Sequence, residues 1–211
     1  MGEIPIQKRI GYTDKAIDHF THPRNTGKIE DPDVTAKVGS MACGDLIKLY
    51  LKINPQTSKV DDIKFESYGC AANIATSSVM TELVKGKSLE EAKKVTFKDI
   101  AEELGGLPKI KMHCAVLSKT GLDAVLLKYE VKKGLTKVDE AFVRRILRGV
   151  LDPVEGTDIV SAGIVESLEI TDKITIKLTI NKGSELAKTI EEDIRESFDG
   201  LDINLNLVFK D

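Results

Sequence analysis

Apolar positions along the chain change period several times, and each change predicts an element. Thr13 is placed to cap a helix that runs to about Phe20, and Pro23 ends it. Ile47, Leu49, Leu51 and Ile53 alternate with more polar neighbours, the period of a half-buried strand. Ile63 and Phe65 predict a second strand, with Asn54-Pro55-Gln56-Thr57-Ser58 as the hairpin turn between them. From Ala71 to Lys85 the pattern turns helical and rich in small residues. Thr96 with Asp99 has the spacing of a capping box for another helix. After Pro108 a long helix is expected to run to about Lys132.

The pattern resets after the short polar segment Lys132-Lys133-Gly134-Leu135-Thr136-Lys137, which reads as a linker. Val138, Phe142, Ile146 and Val150 form one helix face, and Ile164, Leu168 and Ile170 predict a strand. Ile174, Ile176, Leu178 and Ile180 alternate with lysines and threonines as a second, half-buried strand. Leu186, Ile190, Ile194 and Phe198 face away from Glu191 and Glu192 on a helix, and Ile203, Leu205, Leu207 and Phe209 make a final strand. The predicted fold class is α+β: a small antiparallel sheet with packed helices over residues 1–133, then a two-layer α/β domain of order α-β-β-α-β over residues 134–211.

Composition narrows the setting. With 211 residues, 41% of them hydrophobic and 31% charged, the chain can bury a core and is too apolar for a disordered polymer. No apolar run approaches the roughly 18 residues of a membrane-spanning helix. Met1-Gly2-Glu3-Ile4-Pro5 lacks the basic-then-apolar pattern of a secretory signal, so a cytoplasmic location is expected. A net charge of −3 and a pI near 5.8 argue against nucleic-acid coating. The charge is unevenly divided: residues 1–133 hold 21 Lys+Arg against 18 Asp+Glu, and residues 134–211 hold 10 against 16.

All three cysteines and all three histidines lie in the first part. An odd number of thiols excludes a secreted disulfide scaffold and fits free thiols in a reducing compartment. Cys43 sits in a turn before a strand, followed by Gly44 and Asp45. Cys70 stands at a strand-to-helix junction, where the helix dipole favours negative charge on its sulfur. Cys114 follows His113 in the first turns of the long helix. Separations of 27 and 44 residues are not those of a zinc knuckle or paired CxxC motif, so a shared site must be assembled by folding. Three thiolates with Asp45 or His113 as fourth ligand would complete a tetrahedral set for zinc or for iron in a cluster. The alternative is that these cysteines pack as small hydrophobes in the core.

The residues around the thiols carry a resemblance. Tyr12-Thr13-Asp14-Lys15-Ala16-Ile17-Asp18-His19-Phe20 with Pro23-Arg24-Asn25-Thr26-Gly27, then Cys43-Gly44-Asp45, Gly69-Cys70-Ala71, Ala75-Thr76-Ser77-Ser78 and His113-Cys114, resemble in order the motifs of the IscU/NifU-type iron–sulfur scaffold family. The resemblance covers about residues 10–132. It implies a scaffold or carrier, not a turnover enzyme, that takes persulfide sulfur from a cysteine desulfurase, combines it with iron and hands the cluster to apo iron–sulfur proteins. It also implies Cys43, Cys70 and Cys114 as cluster ligands and Asp45 or His113 as the fourth. Cys114 would be the persulfide acceptor, and Lys111 lies at a family position beside the site. The implied cofactor is a 2Fe-2S cluster foremost, with 4Fe-4S as the other form and zinc as an occupant of the isolated protein. An iron donor, a ferredoxin and a second copy of the chain are further implied partners; nucleic acid and membrane are not.

Leu107-Pro108-Lys109-Ile110-Lys111 departs from the Leu-Pro-Pro-Val-Lys stretch of chaperone-served family members, which puts chaperone-driven release in doubt. His19 and His22 read as helix-terminus residues, not ligands. Leu151-Asp152-Pro153 and Asp158-Ile159-Val160-Ser161-Ala162-Gly163-Ile164-Val165 make residues 138–211 similar to the SufT/PaaD/MIP-type maturation module. Where many relatives carry a cysteine, this chain has Asn181-Lys182-Gly183-Ser184-Glu185, so a docking role is expected of it. The rival readings are a sulfur-acceptor or regulatory protein holding zinc at the same residues, and an adaptor whose cysteines are only core.

Overall fold

Thr13 Oγ1 accepts the Ala16 N–H and starts α1 (Asp14–Thr21) in the computed structural model, which describes residues 11–40, 44–155 and 157–210. Three strands follow, β1 (Val34–Ser40), β2 (Asp45–Ile53) and β3 (Val60–Tyr68), paired antiparallel in that order. The β2–β3 hairpin is tied by Asn54 Oδ1, which accepts the Gln56 and Thr57 N–H groups. Ile47, Leu49, Leu51, Ile63 and Phe65 are buried on one face of this sheet, under α2 (Ala71–Val84) and α5 (Met112–Lys132). Between those helices lie α3 (Leu89–Lys94) and α4 (Phe97–Glu103), each opened by a complete capping box, Ser88 with Glu91 and Thr96 with Asp99. Pro108 starts a short 3₁₀ turn, Lys109–Lys111, that leads into α5.

The small residues of α2 have a packing reason. Ala72, Ala75, Thr76, Ser77 and Ser78 are buried, and their hydroxyls are satisfied across helix contacts. Ser118 donates to Thr76 Oγ1 at 2.9 Å, and Ser78 Oγ accepts the Arg24 N–H at 2.9 Å. Larger side chains would hold α1 and α5 away from α2.

The second sheet belongs to residues beyond 137. Asp139 caps α6 (Glu140–Leu147), which precedes β4 (Val165–Ile170), β5 (Ile174–Asn181), α7 (Glu185–Phe198) and β6 (Leu205–Lys210). The order is the α-β-β-α-β expected from periodicity; β4 and β5 are antiparallel, whereas β5 and β6 are parallel. Phe142, Ile146, Ile176, Ile190, Ile194 and Phe198 form its core, with Phe142 and Phe198 edge to face at 6.5 Å.

The two cores are joined by α5 and by β1. Leu127 and Val131, in the last turns of α5, pack on the second core. Lys37 on β1 pairs with Asp193 at 3.0 Å, and Lys48 on β2 pairs with Glu196 at 2.7 Å. Lys128, 1% exposed, donates at 3.1 Å to the carbonyl of Asp199, the residue that caps the C-terminus of α7. A cation there meets the negative end of the helix dipole. Leu151 lies so close to Gly39 that a Cβ there would come within 2.7 Å of its Cδ1. The second sheet unit thereby lies along β1, which among the described residues has a strand neighbour on one side only.

Candidate metal centre

Three chain segments meet at one end of the first sheet. Gly44, at a φ of +70° that a side chain would strain, turns the chain into β2 and sets Asp45 as its first residue. β3 ends at Tyr68; Gly69 follows, then Cys70, the N-cap of α2. Gly69 is required by close approach, since a Cβ there would lie 2.4 Å from Asn73 Nδ2 and 2.7 Å from Asp45 Oδ1. Cys114 enters from the first turn of α5, and Lys111 from the turn before it.

Asp45, 3% exposed, is the hub. Its Oδ1 accepts the Cys70 N–H at 3.0 Å. Its Oδ2 accepts from both thiols, Cys70 and Cys114, each with its sulfur at 3.7 Å. The two sulfurs are themselves 3.7 Å apart, so two thiols and a carboxylate oxygen form a nearly equilateral triangle. His113 is exposed, and its imidazole joins Asp45 and Cys114 in a group whose ligand atoms all lie within 4.8 Å of one another. Lys111 Nζ donates to Cys70 Sγ at 3.6 Å.

The electrostatics follow from crowding. Burial pushes the Cys114 thiol well above its usual range, and the neighbouring Cys70 and Asp45 push it further. Cys70 in turn raises Lys111 above the ordinary lysine value. A cation placed among these groups would relieve the repulsion they share, and thiolate, imidazole and carboxylate are the donor types that zinc and iron take.

The structure therefore brings together Asp45, Cys70, His113, Cys114 and Lys111, and Cys43 lies outside the described residues. Cys114 sits in the first turn of α5, as its sequence position predicts, and is fully buried. His19 is buried elsewhere, with Nδ1 2.9 Å from Ser78 Oγ, and His22 stands exposed at the end of α1. Two residues near the site were not singled out as functional. Tyr12 is raised above the usual phenol value, first by burial and then by Cys70. Asn73, fully buried, leaves Oδ1 without a hydrogen-bond partner while Nδ2 reaches Ser67. Tyr12 belongs to a motif segment and Asn73 lies between two of them, but no spacing rule marks a single Tyr or Asn as a neighbour of a thiol.

Residues 11–136, which hold this whole constellation, match the family model described as the NifU-like N-terminal domain. The chain belongs to that family. Within the NifU-like domain, the iron–sulfur cluster assembly scaffold protein IscU 1 of Archaeoglobus fulgidus is 50% identical over 129 residues, 61% of this chain and 82% of the relative. IscU of Azotobacter vinelandii is 48% identical over 129 residues, 60% of this chain and 99% of the relative. The IscU of Aquifex aeolicus is 43% identical over 130 residues, 62% and 82% of the respective chains. Beyond the NifU-like domain, residues 140–202 match a second family model, described as iron–sulfur cluster assembly protein.

Proposed function

We infer that the chain is a scaffold on which iron–sulfur clusters are assembled and from which they are passed to recipient proteins. The observation that carries this is the 3.7 Å triangle of Cys70, Cys114 and Asp45, in a domain half identical to proteins named as such scaffolds. The cluster is cargo, and the chain's chemistry is to hold and release it. Cys70, Cys114 and Cys43 act as thiolate ligands. Asp45, with His113 beside it, supplies an oxygen or nitrogen donor that an incoming ligand can displace, because a hard carboxylate matches sulfide-bound iron poorly.

On this reading a cysteine desulfurase supplies sulfur as persulfide and Cys114 accepts it. Because Cys114 is fully buried, the first turn of α5 or the Cys70 side must open for that transfer. The cargo is a 2Fe-2S cluster, apo iron–sulfur proteins are the recipients, and the compartment is the cytoplasm. Among the described residues no helix is long and apolar enough to cross a membrane. Residues 134–211, with neither Cys nor His, serve docking and not ligation.

The test is anaerobic reconstitution with iron, cysteine and a desulfurase, followed by absorption spectra and iron and sulfide assays. A visible chromophore with matching iron and sulfide is expected. Colourless protein that retains stoichiometric zinc and takes up no sulfide would overturn the reading.

A further inference from the structure

Arg144, Arg145 and Arg148 stand on one side of a cleft of about 530 Å³, between α6, β1 and α5, that the cluster site does not use. The buried side chains of Val38 and Ala124 form its deep part, with Ala141 beside them. Arg144 is engaged by Glu140 at 2.7 Å. The guanidinium groups of Arg145 and Arg148 are exposed and have no ion pair or hydrogen bond among the described residues. Asp123, the acidic group of the lining, is neutralised by Lys119 at 2.6 Å.

We propose that this cleft is a docking site for an acidic, leucine-bearing peptide segment of a partner protein. Two free guanidinium groups are the donors that recognise carboxylates in forked pairs, and the apolar floor between β1 and α5 takes an aliphatic side chain. Phosphate chemistry fits less well. The arginines project from the C-terminal end of α6, the negative end of its dipole, which opposes a multiply charged group more than a single carboxylate. A peptide carboxylate carries one charge at each position and brings apolar surface with it.

The probe is a short fluorescein-labelled peptide, Glu-Leu-Asp-Gly-Glu-Leu-Asp, titrated with the full-length chain by fluorescence anisotropy. Arg145→Glu with Arg148→Glu is expected to weaken binding by at least about tenfold, the scale of losing two charge-assisted hydrogen bonds. Lys182→Glu with Lys188→Glu, equal in charge change and also exposed in the second unit, should leave it unchanged. Ala141→Phe keeps every charge and fills the floor, so it should weaken binding too. Circular dichroism confirms that each variant is folded. The proposal is overturned if the double arginine variant binds as the wild type does, if replacing both leucines by serine changes nothing, or if millimolar inorganic phosphate displaces the peptide.

Discussion

The carboxylate of Asp45 holds the main-chain N–H of Cys70 at 3.0 Å through one oxygen and meets the Cys70 sulfur at 3.7 Å through the other. One side chain thus fixes the start of α2 and also stands at the candidate ligand site. The two roles separate by substitution. Asp45→Asn keeps an oxygen for the Cys70 N–H, whereas Asp45→Ala leaves that donor without it and should cost about 1–3 kcal/mol of stability. Both remove the charged, displaceable donor, so both should give a longer-lived cluster and slower transfer to an apo-ferredoxin. Thermal unfolding reads the first effect and decay of visible absorption the second; faster transfer from Asp45→Asn would contradict the role.

Lys128 predicts a pH dependence in the alkaline range. Burial pulls its pKa down to about 8 from the ordinary 10.5. Between those values the unfolded chain binds the proton and the folded chain does not, so stability rises as pH rises from about 8 to 10.5. A difference of that size corresponds to about 3 kcal/mol. Lys128→Met should flatten the rise, as measured by urea unfolding at a series of pH values. An unchanged slope would show that another group carries it.

The contact of Lys48 with Glu196 behaves in the opposite sense. The Lys48 ammonium, and Lys37 beside it, hold the Glu196 carboxyl below the usual carboxylate range. Its contribution is therefore complete above the ordinary value of 4.5 and fades as pH falls through the lowered one. Half-exposed pairs of this kind are worth about 0.5–1 kcal/mol and are screened by salt. Glu196→Gln should lower the melting temperature at pH 7 in low salt and have little effect in molar salt. A salt-independent loss would point to packing instead of charge.

Much of this arrangement was legible in the sequence, and the gaps have physical causes. Caps declare themselves locally, so Thr13, Pro23 and the Thr96–Asp99 box placed α1 and α4. The hairpin, the small-residue helix and all of α-β-β-α-β followed from period alone. β1 was missed although Val34, Ala36 and Val38 alternate, because short side chains and a Gly39 ending give a weak strand signal. The Ser88–Glu91 box that opens α3 has the same local signature. α6 is shorter than its predicted face: Val138 and Val150 lie outside the helix yet pack on the same core. At the site, motif order pointed to the thiols, but their approach and the burial of Cys114 depend on how three segments fold together. The grip of Lys37, Lys48 and Lys128 on α7 spans 71 to 159 residues of sequence, and no spacing rule reaches that far.

Cutting the chain near residue 134, where the sequence is expected to form a linker, has a consequence for the first unit. Leu127 and Val131 of α5 pack on the second core, and Lys128 is covered there. A fragment ending at Lys133 exposes both apolar side chains while keeping Asp45, Cys70, His113 and Cys114. It should melt lower and self-associate, yet still assemble a cluster, and Leu127→Lys with Val131→Glu should restore a monomer on size-exclusion chromatography. Loss of assembly by that monomer would make residues 134–211 part of the synthesis site.

The account rests on Cys70 and Cys114 acting as ligands of one cluster, and their replacement tests it most directly. Cys70→Ala, Cys114→Ala and Cys43→Ala are each reconstituted beside the wild type under anaerobic conditions with iron, cysteine and a desulfurase. Visible absorption, iron and acid-labile sulfide are then followed for hours. The prediction is that each variant keeps the circular dichroism of the wild type and forms no stable chromophore. A cluster of wild-type yield and lifetime on Cys70→Ala or Cys114→Ala would contradict it.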